Sequence, residues 1–334
     1  MMPAEWEQHR ATWLAWPKNK STWPGPLLKE VESIYLQMME VLLPYEKVNL
    51  LIDHRNLAPK ILKALRNQRK SSHNLVFYEV RTADAWIRDY GAIFVRQQKK
   101  IAFTKWNFNA WGGKYSDLAK DNQVVDRIGA LKSIKRFDPP MILEGGSIDV
   151  NGRGVCLTTE QCLLNSNRNA KFSRKKIEKT LNDFLGIKKM IWLRRGIEGD
   201  DTDGHVDDMA RFVNPRTVVT ATEKDSKNFN YGVLKENLEI LKSATDQDGK
   251  RLRVIELPMP GRIEAKKRRL PASYANFYIA NKVVLAPIYH HSHDKLAIKI
   301  LRDVFPGRKI VGIDCTALVH GQGSIHCVTQ QEPK

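Results

Sequence analysis

Nowhere in these 334 residues does an apolar run approach the roughly 20 residues that span a bilayer. The opening MMPAEWEQHR also lacks the apolar core of a secretory leader. The expectation is a cytoplasmic protein with no membrane partner. Cysteine is scarce: Cys156, Cys162, Cys315 and Cys327 form neither a CxxC pair nor a zinc-ligand spacing. A disulfide framework is therefore not expected, nor is a resident metal. There is no GxxxxGK[ST] loop and no GxGxxG opening a helix, which argues against nucleotide chemistry. Linkers and low-complexity tracts are missing too, so residues 1–334 read as a single domain.

Acid is the rarer charge, with 37 Asp and Glu against 55 Lys and Arg, a formal net charge of +18. Such an excess attracts phosphate. The basic residues are nevertheless spread over helix-like segments such as FSRKKIEK (172–179), with one denser run, KKRR, at 266–269. No RNA-binding aromatic motif, zinc finger or recognition-helix pattern accompanies them, and a nucleic-acid partner is disfavoured.

What is present is a repeat. A short β-rich run leads into a polar loop, and a strand–turn–strand follows. NLVFYEV leads through RTADAWIRDYG to AIFVRQQKKIAFTKW; PPMILEGG leads to SIDVNGRGVCLTT, where NGRG supplies the hairpin turn. KMIWL leads through EGDDTDGHVDD to ARFVNPRTVVTA. RVIELP leads through PASYANF to YIANKVVLAP, and KIVGIDC leads through TALVHGQG to SIHCVTQQ. Helical patterns fall between the copies at 25–45, 173–186 (a Ser start and a Gly stop), 231–244 and 293–305. Five such units predict an α/β assembly in which five distant loops converge on one central site.

Those loops carry Trp86, Arg88 and Asp89; Glu144; His205, Asp207 and Asp208; Ser273 and Asn276; and His326 with Cys327. The cysteine is the candidate nucleophile. Read as a strand, SIHCVTQQ puts His326 and Cys327 on opposite faces, which makes His326 a poor base for its neighbour. His205 is the better candidate, with Asp207 two residues on and positioned to raise the imidazole pKa. For Asp200, Asp201 and Asp203 a solvated acidic loop is the preferred reading. HHSHD (290–294) resembles a metal tract but lies where a polar strand–helix connector is expected. Carboxylates around a thiol suit a planar cation, because a guanidinium donates paired N–H bonds to them. Trp86 could cover that cation, or could be a core tryptophan; Asn276 is a further candidate for substrate contact.

The stretches WIRDYG (86–91), WNFNAWGGKY (106–115), EGGSI (144–148), LLNSNRN (163–169), GHVDDMARFV (204–213), LPASYANFYIAN (270–281) and GQGSIHCVTQQ (321–331) resemble the agmatine deiminase family, which includes the Porphyromonas-type peptidyl-arginine deiminases. The resemblance runs from EWEQHRATWLAWP (5–17) to the end. It implies the pentein fold, a five-bladed α/β propeller of ββαβ-type repeats around a central active site. It also implies hydrolysis of a guanidinium without metal or cofactor. Carried over, Cys327 is the nucleophile, His205 the acid/base and Glu144 its supporting carboxylate. Asp89 and Asp207 clamp the guanidinium, and Trp86 lines the pocket. The implied substrate is agmatine, a small cation; deimination of peptidyl or free arginine is the alternative, and homo-oligomerisation is left open. Two positions depart from the family pattern: Gln322 interrupts a run of glycines, and Ala92 stands where proline is common.

Overall fold

Ser173 and Gly186 show how closely local chemistry sets the element ends. The Ser173 hydroxyl accepts the Lys176 N–H at 3.3 Å, and Gly186 ends the helix Arg174–Leu185 at φ 72°. Ile177, Thr180, Leu181 and Leu185 are the buried stripe of that helix. Each of its large apolar side chains contributes about 1.5–3 kcal/mol by leaving water. The other expected helices form at Leu27–Leu42, Asn230–Ser243 and Asp294–Val304. The computed structural model describes residues 1–67, 73–98, 100–132 and 134–334. Position 99, in the expected turn of the first hairpin, lies outside the described residues.

The structure is a mixed α/β fold in which five sheets share one plan. Strands Ile93–Gln97 and Lys100–Thr104 form an antiparallel hairpin, the helix Val124–Lys132 follows, and Lys135–Phe137 adds in parallel. The same order recurs at Asp149–Val150, Val155–Thr159 and Lys189–Leu193. It recurs again at Ala210–Asn214, Thr217–Thr222 and Arg253–Pro258, and at Tyr278–Ala280, Val283–Ile288 and Lys309–Asp314. The last sheet joins the two ends of the sequence. Gln330–Pro333 pairs antiparallel with His9–Ala15, and Lys47–Ile52 and Leu75–Glu79 extend it in parallel. A small ribbon, Glu264–Ala265 with Arg268–Arg269, absorbs the KKRR run.

This pairing corrects the repeat drawn from the sequence. A β-rich run before a polar loop does not pair with the hairpin after it. It closes the preceding sheet, so each polar loop is a bridge between sheets. All five candidate loops leave the carboxyl ends of parallel strands, the end where open α/β sheets place their ligands. No helix among the described residues is long and apolar enough to cross a membrane. All four cysteines are buried and free.

Candidate active site

Cys327 does not lie in a strand. Residues 325–328 form a turn, and pairing starts only at Gln330. The opposite-face expectation for His326 therefore fails, since the alternation it relied on is absent. His326 and Cys327 instead approach the same atom, Asp207 Oδ2. The imidazole Nδ1 lies 2.6 Å from that oxygen and the thiol sulfur 3.8 Å from it. The other ring nitrogen, Nε2, is 2.8 Å from Glu5 Oε2. Thus His326 is no bystander: it is a buried strut that fixes Asp207. Glu5 is fixed in turn by Arg88 and Arg211, so the N-terminal segment forms the floor of the site.

The Cys327 sulfur accepts a 3.2 Å hydrogen bond from Asn276 Nδ2, which also donates to Asp208 Oδ1 at 2.9 Å. Asn276 Oδ1 receives the His326 backbone N–H at 2.9 Å. Asn276 is therefore in contact with the thiol and with its loop. Burial, then the charges of Asp207, Asp208 and Asp89, push the Cys327 thiol well above its ordinary range.

Asp89 is aimed by two donors: Trp111 Nε1 reaches Oδ2 at 2.9 Å, and the Gly146 N–H reaches Oδ1 at 3.0 Å. Burial raises its pKa to about 6 against the opposing pull of His205, with Asp207 and Glu144 adding to the rise. His205 lies with Nδ1 3.7 Å from Asp89 Oδ1. Its burial disfavours the imidazolium, but Asp89, the neighbouring Cys162 and Asp207 together hold it well above the usual imidazole range. Glu144 is in the same cluster, yet it makes no hydrogen bond to His205. Its Oε1 accepts Arg168 Nε at 2.7 Å in a fully buried pair.

Gly146 marks the point where these groups meet. A Cβ at Gly146 would stand 2.7 Å from His205 Nδ1, 2.9 Å from Asp89 Oδ1 and 3.0 Å from Asp207 Oδ2. The space three polar groups face is open only because this residue has no side chain. Gly146→Ala is expected to lower kcat/KM by about 10²-fold or more through a displaced clamp. Steady-state kinetics, with circular dichroism to confirm folding, checks it.

The opening above this point is a cavity of about 210 Å³, lined by Trp86, Asp89, Trp111 and Cys327 at depth and by Tyr115, Asp117, Asp201, His320 and Gln322 among its other walls. Trp86 is buried against Trp23, ring centroids 5.3 Å apart, so it is both core and wall. The acidic loop is not merely solvated. Asp200 accepts the backbone N–H groups of Thr202, Gly204 and His205; Asp203 pairs with Arg168 and Lys114; Asp201 accepts from Tyr115. The loop is thereby shaped to present His205 and Asp207. In the histidine tract, His290 pairs with Asp314 and His293 with the Met259 carbonyl, as a connector should.

Known proteins bear on this geometry. The sequence profile of the Porphyromonas-type peptidyl-arginine deiminases matches residues 1–333. The chain belongs to that family. Among deiminase relatives, the agmatine deiminase of Medicago truncatula is 36% identical over 366 aligned residues, covering 99% of this chain and 96% of its own. The solved agmatine deiminase of Enterococcus faecalis superposes with a TM-score of 0.91 at 32% identity, over 100% of this chain and 95% of that one. A C. jejuni agmatine deiminase solved with substrate bound gives 0.88 at 33% identity, over 99% and 95%. A dimethylarginine dimethylaminohydrolase shares the fold alone, at 12% identity and a TM-score of 0.51.

Within this deiminase, the sequence reading missed Trp111, Gly146, Arg168 and Glu5. A signal for Arg168 did exist. Glu144 follows the apolar run MIL, and a carboxylate set there needs a buried cation. Nothing in the sequence named which arginine supplies it.

Proposed function

We propose that this deiminase hydrolyses agmatine to N-carbamoylputrescine and ammonia, with Cys327 as nucleophile. Asp89 and Asp207 take the guanidinium N–H groups and hold the central carbon toward the sulfur. Arrival of the cation offsets the carboxylate field that keeps Cys327 protonated, so the thiol proton is lost to solvent and the thiolate forms when substrate is in place. Sulfur adds to the carbon, His205 protonates the departing ammonia, and an amidino-cysteine remains. Neutral His205 then takes a proton from water, whose oxygen attacks the same carbon; the C–S bond breaks and the thiol is restored. Glu144, fixed by Arg168, is the supporting carboxylate beside His205. The five sheets are, in this reading, blades of a propeller around that centre.

One observation carries the preference for agmatine over arginine. Among the described residues lining the cavity there is no lysine or arginine, whereas Asp117 and Asp201 are there. An α-carboxylate would meet carboxylates; a distal ammonium would be welcomed by them. The experiment is ammonia release from agmatine, free arginine and an arginine peptide in parallel. Turnover of the peptide without turnover of agmatine would overturn the reading.

A pH dependence follows from Asp89. Its raised pKa of about 6 means that the acceptor is ionised above that value and gains a proton below it. A protonated Asp89 loses half of its paired acceptance and its charge. kcat/KM for agmatine is expected to be sustained above pH 6 and to fall as pH drops through 6, by about tenfold per unit well below it. A flat profile between pH 5 and 7 would contradict this role.

Gln322 supplies a further expectation. It stands at φ 75°, the left-handed region that favours glycine, and its buried Oε1 has no hydrogen-bond partner among the described residues. Gln322→Gly is expected to raise stability by about 1 kcal/mol by relieving the backbone and to raise KM for agmatine several-fold by widening the cavity. Thermal melts and kinetics read the two effects separately.

A further inference from the structure

Cys162 has no part in the chemistry above, yet it lies beside its central base. One ligand atom each from Glu144, Cys162 and His205 fall within 4.8 Å of one another, and all three side chains are buried. Two of these groups also end in atoms that lack a well-formed partner. His205 Nε2 and Glu144 Oε2 are enclosed with no hydrogen-bond partner at ordinary geometry among the described residues, a costly condition for buried polar atoms, and the Cys162 thiol is the group that interacts with the imidazole. Arg168 occupies Glu144 Oε1, and Asp89 Oδ1 stands 3.7 Å from Nδ1 of His205. A carboxylate behind one ring nitrogen is the usual support for a histidine that ligates through the other.

We propose that Glu144, Cys162 and His205 form an inhibitory site for a thiophilic divalent cation, zinc being the fitting probe. The donor set is nitrogen, sulfur and oxygen, which zinc binds at about 2.0–2.3 Å in tetrahedral geometry, leaving a fourth position for water. Binding displaces two protons, one from the Cys162 thiol and one from the imidazolium of His205: the S–H and N–H bonds break, sulfur–zinc and nitrogen–zinc bonds form, and both protons leave to solvent. Affinity therefore rises with pH. The metal is no cofactor here. It captures the imidazole that hydrolysis needs and draws it toward Cys162.

Binding rests on the geometry alone; inhibition also rests on the role proposed for His205. The test keeps them apart. Zinc binding to the full-length protein is measured by competition with a chromogenic chelator, and cobalt is substituted to look for thiolate-to-metal absorption. The wild type should bind one equivalent with a sulfur signature, and micromolar zinc should slow ammonia release. Cys162→Ala and the size-matched Cys162→Ser should each raise the half-inhibiting zinc concentration at least about tenfold relative to their own metal-free rates, and lose the cobalt band. Cys327→Ala should keep both metal and band. The rival site, Asp207, Asp208 and Cys327, predicts the reverse. Loss of binding in the Cys327 variant with retention in both Cys162 variants would overturn the proposal. So would a wild type that binds no zinc. If zinc bound through Cys162 without slowing turnover, the site would stand as a binding site and its inhibitory role would fall.

Discussion

Cys327→Ala should abolish ammonia release, with a loss on the order of 10⁵-fold or more, as expected when the nucleophile of a covalent hydrolase is removed. The variant should nevertheless fold and bind agmatine. The sulfur contributes weak contacts to Asp207 and to the Asn276 amide, and Asp89 and Asp207 are held by Trp111, Gly146 and His326, none of which the change alters. Calorimetry on the variant then measures substrate binding without turnover. Residual activity within a hundredfold of wild type would exclude Cys327 as nucleophile. The thiol's raised pKa yields a companion measurement. Alkylation of the substrate-free enzyme by iodoacetamide should be slow at neutral pH and still climbing at pH 9, since the surrounding carboxylates oppose the thiolate.

Arg168→Ala should cost about 3–5 kcal/mol of stability, the usual consequence of stripping the partner from a buried charge. Arg168 bonds to Glu144, to the Thr202 carbonyl and to Asp203, and so ties the loop that carries His205 to the loop that carries Glu144. Its removal leaves Glu144 unpaired near Asp89 and loosens the presentation of His205. Denaturant melts measure the first effect, kinetics the second. The double variant Arg168→Met, Glu144→Gln should be less destabilised than the sum of the single changes, because no lone charge remains. A loss below 1 kcal/mol for Arg168→Ala would mean that the pair carries no structural weight.

Much of this was legible in the sequence because short-range chemistry decides it. Ser173 and Gly186 bound a helix wherever they stand, and the repeated hairpins announce themselves by alternation and turn residues. The convergence of Asp89, Glu144, His205, Asp207 and Cys327 followed from the repeat, once the loops were taken to share one end of the fold. What stayed hidden is long-range partnership. Parallel pairing leaves no turn between its strands, so nothing local tells Lys189–Leu193 to join the hairpin before it. His326 was misjudged for a similar reason: alternation holds for strands, and Ile325–Val328 is a turn whose form is set by Asn276 from another loop. Gly146 belongs to the EGGSI stretch, but the space it leaves open is defined by three residues elsewhere, His205, Asp89 and Asp207.

The coupling of Glu5 to His326 has a kinetic consequence. These residues are 321 positions apart, and the strand that follows Cys327 is seated against the first strand of the chain. Contacts of such separation form late, after the entropy of closing the intervening loop has been met. A growing polypeptide can mature four of its sheets while its reactive centre is still unmade. Asp207 lacks its strut, Asn276 has no sulfur to hold, and the thiol has no field around it. Catalytic competence should therefore arrive as a single late event in refolding, behind most of the regain in secondary structure.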